Sequence, residues 1–132
     1  MKITADTNVL VRAIVGDDEK QSKIAQARLA KADVVALTLP ALCELVWVLA
    51  QGYKIPRADI AEAIRRLVNG ANAAANLPAV EAGLALLDSG GDFADGVIAF
   101  EGGWLGAETF VSFDQTAVKL MGARGVSAQL LS

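Results

Sequence analysis

The chain has 132 residues, 54% of them hydrophobic and 20% charged; this is the length and make-up of one folded domain and excludes a disordered tail. Twelve basic residues stand against fifteen acidic ones, a formal charge of −3, so bulk positive charge cannot be what holds a nucleic acid. Histidine is absent and Cys43 is the single cysteine. That excludes Ser-His-Asp and Cys-His nucleophilic sites, histidine general bases, the usual zinc hydrolase centres and an internal disulfide. The most apolar stretch, Val34 to Ala50, is broken by Pro40 and Glu44 and falls short of the roughly 20 residues a bilayer demands. Met1-Lys2-Ile3-Thr4-Ala5 reaches Asp6 before any long apolar run, so no secretory signal is expected. A soluble cytoplasmic protein without membrane contact is the expectation.

In chain order, Lys2 to Ala5 predicts a short strand, followed by a helix capped by Thr7 or Asn8 and carrying Val9, Leu10, Val11 and Ile14. Gly16-Asp17-Asp18-Glu19 breaks that helix and opens another over Lys20 to Ala32, with Ile24, Ala25, Leu29 and Ala32 on one face. Asp33 to Leu39 reads as a buried strand. Pro40 opens a helix to about Gln51, and Pro56 opens one ending at Asn69-Gly70. Ala71 to Leu77 lacks branched residues and predicts at most a weak strand. Pro78 to Ser89 is helical. A further helix starts at Asp92 and runs through Phe100, loosening at Gly102-Gly103. Glu108 to Phe113 predicts a buried strand, Asp114 caps a last helix from Gln115 to Met121, and a short tail follows Gly125. Strands alternating with helices define an α/β fold, with a mainly parallel central sheet of about four or five strands and helices on both faces. No linker or repeat divides residues 1–132, so one domain is expected.

Acids occupy telling places. Asp6 follows the first strand and Asp114 the last predicted one, and open α/β sheets gather ligands at the carboxyl ends of strands. Either aspartate is also an ordinary helix N-cap. Asp92 and Asp95 open one helix, where a capping box is the structural alternative, with Asp95 reaching back. Glu44 lies in Ala41-Leu42-Cys43-Glu44-Leu45-Val46-Trp47-Val48-Leu49-Ala50, with no Lys or Arg three or four residues away. A helix apolar all round is normally buried, and a buried lone carboxylate needs a partner or a metal. If these acids meet in one cleft, they repel, and a divalent cation resolves the conflict. With oxygen ligands alone, that ion is Mg²⁺ or Mn²⁺. A carboxylate-held ion with open positions suits phosphoryl chemistry.

Four stretches, Ile3-Thr4-Ala5-Asp6-Thr7-Asn8-Val9-Leu10-Val11-Arg12, Leu42-Cys43-Glu44-Leu45, Asp92-Phe93-Ala94-Asp95-Gly96-Val97-Ile98-Ala99 and Val111-Ser112-Phe113-Asp114, resemble in order and spacing the PIN-domain ribonucleases, most closely the VapC-type toxins of toxin–antitoxin pairs. The resemblance implies a PIN-like domain over 1–132 and an acidic metal site of Asp6, Glu44, Asp95 and Asp114, with Asp6 and Asp95 the principal Mg²⁺ ligands. It implies that Thr7 and Ser112 orient carboxylates or water and that Asp92 is an auxiliary acid or simply a cap. It further implies endonucleolytic RNA hydrolysis by a metal-activated water, leaving a 5′-phosphate, a cognate antitoxin that inserts into the groove, and a homodimer. Four departures from the family pattern, one of them the lack of branched residues in Ala71 to Leu77, bear on RNA grip and on the rigidity of the Asp95 helix. Gly96 replaces a common alanine, Gln115 replaces a frequent basic residue, and Gly102-Gly103 interrupts the same helix.

Other functions remain open on the residues. A haloacid-dehalogenase-like phosphatase needs a second aspartate where Asn8 stands, and a phosphoacceptor receiver needs paired acids after the first strand. A non-catalytic binding module with the same fold is the third alternative. Arg12, Lys54, Arg57, Arg65, Arg66, Lys119 and Arg124 are candidate phosphate contacts, although helix-surface cations are ordinarily just solvated. Trp47 and Trp104 are read as core or dimer contacts, not base-stacking platforms.

Overall fold

Ile3 sits mid-strand in β1 (Lys2–Thr4), paired in parallel with Val35 of β2 (Val34–Leu37), which pairs in turn with Ala73 of β3 (Ala73–Ala75). This three-stranded ladder has the order β1-β2-β3 and β2 at its centre. Val35 and Leu37, two apart and so on one face, are buried. β3 is three alanines, poor strand formers by composition. It is fixed from outside: the Asn72 side-chain amide donates to the Leu29 and Ala32 carbonyls at 2.8 and 2.9 Å. These are carbonyls at the C-terminal end of a helix, which lack partners inside it. Tertiary context thus makes a strand of a segment whose sequence predicted at most a weak one.

The computed structural model describes all residues Met1–Ser132, and the chain divides into two compact units, Met1–Asn76 and Leu77–Ser132. The first holds β1–β3 with α1 (Thr7–Ile14), α2 (Glu19–Lys31), α3 (Leu39–Trp47) and α4 (Arg57–Val68). α3 continues as a π-helical turn, Val48–Gly52. Leu10, Leu42, Leu45, Leu49, Ile60 and Ile64 form its core. The cap of α1 is Asp6, not Thr7 or Asn8: its carboxylate accepts the Val9 N–H at 3.1 Å.

The second unit holds α5 (Leu77–Asp88), α6 (Phe93–Trp104), α7 (Gln115–Ala123) and a parallel pair, β4 (Phe110–Ser112) and β5 (Ala128–Leu130). Val80, Leu84, Leu86, Phe93 and Met121 are its buried centre. Three expectations change here. α6 does not loosen at Gly102-Gly103 but continues to Trp104. Gly96 tightens that helix against its neighbour: a Cβ there would lie 2.3 Å from the Ala82 carbonyl oxygen of α5. The segment after Gly125 is not a plain tail, because β5 pairs Ala128 with Phe110 and Leu130 with Ser112.

β4 itself is not buried. Val111 is exposed and Phe113, just beyond it on the same face, is 76% exposed, because a two-stranded ladder covers little of its own surface. The core reading of both tryptophans also fails, Trp47 being 65% and Trp104 83% exposed. All five strands are paired in parallel, with seven α-helices between and around them in sequence, a mixed α/β architecture as expected. No helix is long and apolar enough to cross a membrane.

Candidate functional site

The first unit presents Asp6 and Glu44. Asp6 leaves β1 after a single buried residue, Ala5, and caps α1 with Oδ1. That capping bond fixes its orientation, while Oδ2 stays available. Asp6 also lines a cavity of about 440 Å³ between α1 and α2, together with Asn8, Val9, Arg12, Gln21, Ile24, Ala25 and Arg28. Thr7, half-buried, begins α1 beside it.

Glu44 lies on α3, whose Ala41, Leu42, Leu45 and Val46 are buried. Its own side is open: Pro40, Glu44 and Trp47, spaced by four and three residues, are all exposed. The helix is therefore one-sided despite its apolar sequence, and Glu44 pays no burial cost that would force a partner on it. The argument from burial is overturned, although the residue remains accessible to a ligand.

The second unit presents Asp92, Asp95 and Asp114. Asp92 caps α6 through the Ala94 N–H and Asp114 caps α7 through the Ala117 N–H, both at 3.1 Å. The Ser112 hydroxyl accepts the Asp114 N–H at 3.0 Å and shapes the turn out of β4. Asp95 does not complete a capping box, because no hydrogen bond ties it back to Asp92. It is half-buried in the first turn of α6. Burial first, and then the charges of Asp92 and Asp114, push its carboxyl above the ordinary aspartate pKa.

The structure thus sets Asp95 in the electrostatic field of Asp92 and Asp114, and separately sets Asp6 in a cavity. Neither unit gathers three or more His, Cys, Asp or Glu side chains into a metal-holding cluster. Mg²⁺ does not require one, since it is commonly held by one or two carboxylates and keeps several waters. An all-oxygen donor set with a free carboxylate under like-charge repulsion is chemically of that kind.

One cavity residue, Arg12, belongs to a clamp that no local pattern of residues reveals. Arg12 Nη1 donates to Asp17 at 2.9 Å, and the Tyr53 hydroxyl donates to the other Asp17 oxygen at 3.0 Å. The Tyr53 hydrogen bond, and then Arg12, hold the Asp17 carboxyl below its ordinary pKa, and the Asp17 hydrogen bond raises that of Arg12. Asp17 and Tyr53 are 36 residues apart, beyond any local spacing rule. Arg28, which also lines the cavity, is not among the cations that the sequence singles out.

The PIN domain family model matches residues 3–115, a span that runs through both units and contains every acid named above. The chain belongs to the PIN domain family. PIN domains are typically metal-dependent nucleases, so at that level it is a nuclease-type hydrolase domain. No curated protein matches the sequence.

Proposed function

We propose that this protein is a Mg²⁺-dependent endoribonuclease and the toxin of a VapBC-type pair, acting as one domain over residues 1–132. Asp6, Glu44, Asp95 and Asp114 hold the ion, with Mn²⁺ as the alternative, and Thr7, Asp92 and Ser112 assist. The observation that carries the reading is Asp95: a half-buried carboxyl with no hydrogen-bond partner, its pKa raised by burial, Asp92 and Asp114. Such a group is unfavourable for folding alone and is the kind that clusters at functional sites.

When bound, the cation supplies an activated water and offsets charge on the leaving oxygen. The chain's own residues supply position. Asp6 and Asp114 each use one oxygen to cap a helix, which fixes the carboxylate while leaving the other oxygen for the ion. Ser112 fixes the turn that carries Asp114, and Asp92 does for α6 what Asp6 does for α1. The product of such hydrolysis carries a 5′-phosphate.

The partners in this reading are RNA, a cognate antitoxin and a second copy of the chain, in the cytoplasm. Trp104 and Leu105, 83% and 80% exposed, offer apolar surface of the kind that protein partners cover. The test is incubation of the purified chain with structured RNA in Mg²⁺ and in EDTA. Cleavage only with Mg²⁺, and its loss in Asp95→Asn, is the expected result. Cleavage that survives EDTA, or full activity in Asp95→Asn or Asp6→Asn, refutes the mechanism. A binding module without catalysis would bind RNA under both conditions and cut it under neither.

A further inference from the structure

The cavity between α1 and α2 has more to explain than its one acid. Two guanidinium groups, Arg12 and Arg28, line it beside Asp6, with the carboxamides of Asn8 and Gln21, so its walls are donor-rich and carry an excess of positive charge. Arg12 is held from one side by Asp17, which is itself held by Tyr53. It keeps 26% of its side chain exposed, and its Nε is the one buried side-chain nitrogen or oxygen in the chain without a hydrogen-bond partner. Buried donors are satisfied in nearly all native structures, and an exception asks for a missing partner or a shift that supplies one. Arg28 is exposed and donates from Nη2 to the Met1 sulfur at 3.4 Å, a weak acceptor. Both arginines therefore have unspent N–H capacity.

We propose that this cavity is a subsite for a backbone phosphate of single-stranded RNA next to the bond that is cut, gripped by Arg12 and Arg28 and set beside Asp6. The proposal rests on the nuclease reading for its ligand. Guanidinium groups are suited to phosphate because their planar fork meets two oxygens at once. The volume of about 440 Å³ lies in the range of ligand sites and leaves room for the sugar. Asn8 and Gln21 are placed for ribose hydroxyls, and Val9 and Ile24 offer an apolar wall for the rest of a nucleotide. Asp17 and Tyr53 are positioning residues: they hold Arg12 at the cavity in advance of binding, so less side-chain freedom is lost when RNA arrives.

The test measures binding of a short fluorescent single-stranded RNA in EDTA, where neither cleavage nor metal contributes. Arg28→Gln and Arg12→Gln are each expected to weaken binding about tenfold at low salt. Each is also expected to flatten the slope of log affinity against log salt by about 0.7, the value for one phosphate contact on a single strand. Lys23→Gln removes an exposed cation paired to Glu19 that does not line the cavity and should leave both quantities unchanged. Asp17→Asn should weaken binding with the slope intact, since the charge of Arg12 survives but its orientation does not. Should Arg12→Gln fail to fold, Arg28→Gln, on an exposed residue, decides alone.

Wild-type affinity and slope in Arg28→Gln overturn the proposal. So does a site that inorganic phosphate stabilises through Arg28 while RNA binding ignores the same substitution, because the ligand is then a free anion. The two readings separate cleanly. RNA binding through Arg28 without Mg²⁺-dependent cleavage refutes the nuclease and keeps the subsite, whereas cleavage with Arg28→Gln binding normally does the reverse.

Discussion

Gly96→Ala restores the alanine more usual after the third acid of the family pattern, and it should nevertheless destabilise this chain. The new Cβ would stand 2.3 Å from the Ala82 carbonyl oxygen and 2.8 Å from both the Ala82 carbonyl carbon and the Gly83 Cα. Carbon–oxygen contacts of even the favourable kind lie at about 3.3–3.6 Å, so α5 and α6 must part by roughly 1 Å. The obstruction is backbone and cannot rotate away. Overpacking costs about 1–3 kcal/mol, and a fixed obstacle puts this site at about 3. Alanine returns about 1 kcal/mol of helix propensity, leaving a net loss of about 2 kcal/mol. With an unfolding entropy of about 2.1 cal/mol/K per residue, that lowers the melting midpoint by roughly 7 °C.

Circular dichroism melting reads the shift, and Gly103→Ala is the internal control. That residue lies in the same helix with nothing within 4 Å of its would-be Cβ, so the propensity gain alone should raise the midpoint. A midpoint for Gly96→Ala at or above that of the wild type refutes the close-packing argument. Because Asp95 precedes Gly96 on α6, the same substitution should also reduce Mg²⁺-dependent cleavage.

Asp6→Ala should cost about 1 kcal/mol through the lost N-cap, whereas Asp6→Asn keeps the cap; both should abolish cleavage, and paired melting curves with activity assays separate the two roles. Asp95→Asn should raise stability at neutral pH. The folded carboxyl pKa is raised, so the native state binds more protons than the unfolded chain and the penalty is full above the folded pKa. The gain should disappear as pH falls toward the ordinary value of about 3.9, and a midpoint difference independent of pH contradicts it. Tyr53→Phe removes the hydroxyl that most depresses the Asp17 pKa. The wild type should melt higher than the variant above about pH 4, and the gap should close as pH falls through the folded Asp17 pKa. Glu44→Gln, on an exposed residue, should leave the unfolding midpoint unchanged while reducing cleavage, as followed with the same RNA.

Local chemistry made much of this protein legible from its residues alone. Asp92 and Asp114 announce helix starts because a short carboxylate next to unpaired N–H groups is a strong local preference. Period and punctuation placed all seven helices to within a few residues, and the order of four acidic motifs pointed to the PIN family. What depended on distant neighbours was hidden. β3 exists because Asn72 grips the end of α2, and β5 because β4 has a free edge to pair with. Gly96 looked like a weakness until α5 lay against it. Glu44 looked buried because apolar sequence does not reveal which side of a helix the core leaves uncovered. Arg12 became more than one surface cation among several only when Asp17 and Tyr53 closed around it, and that ordering through space has no signature in spacing along the chain.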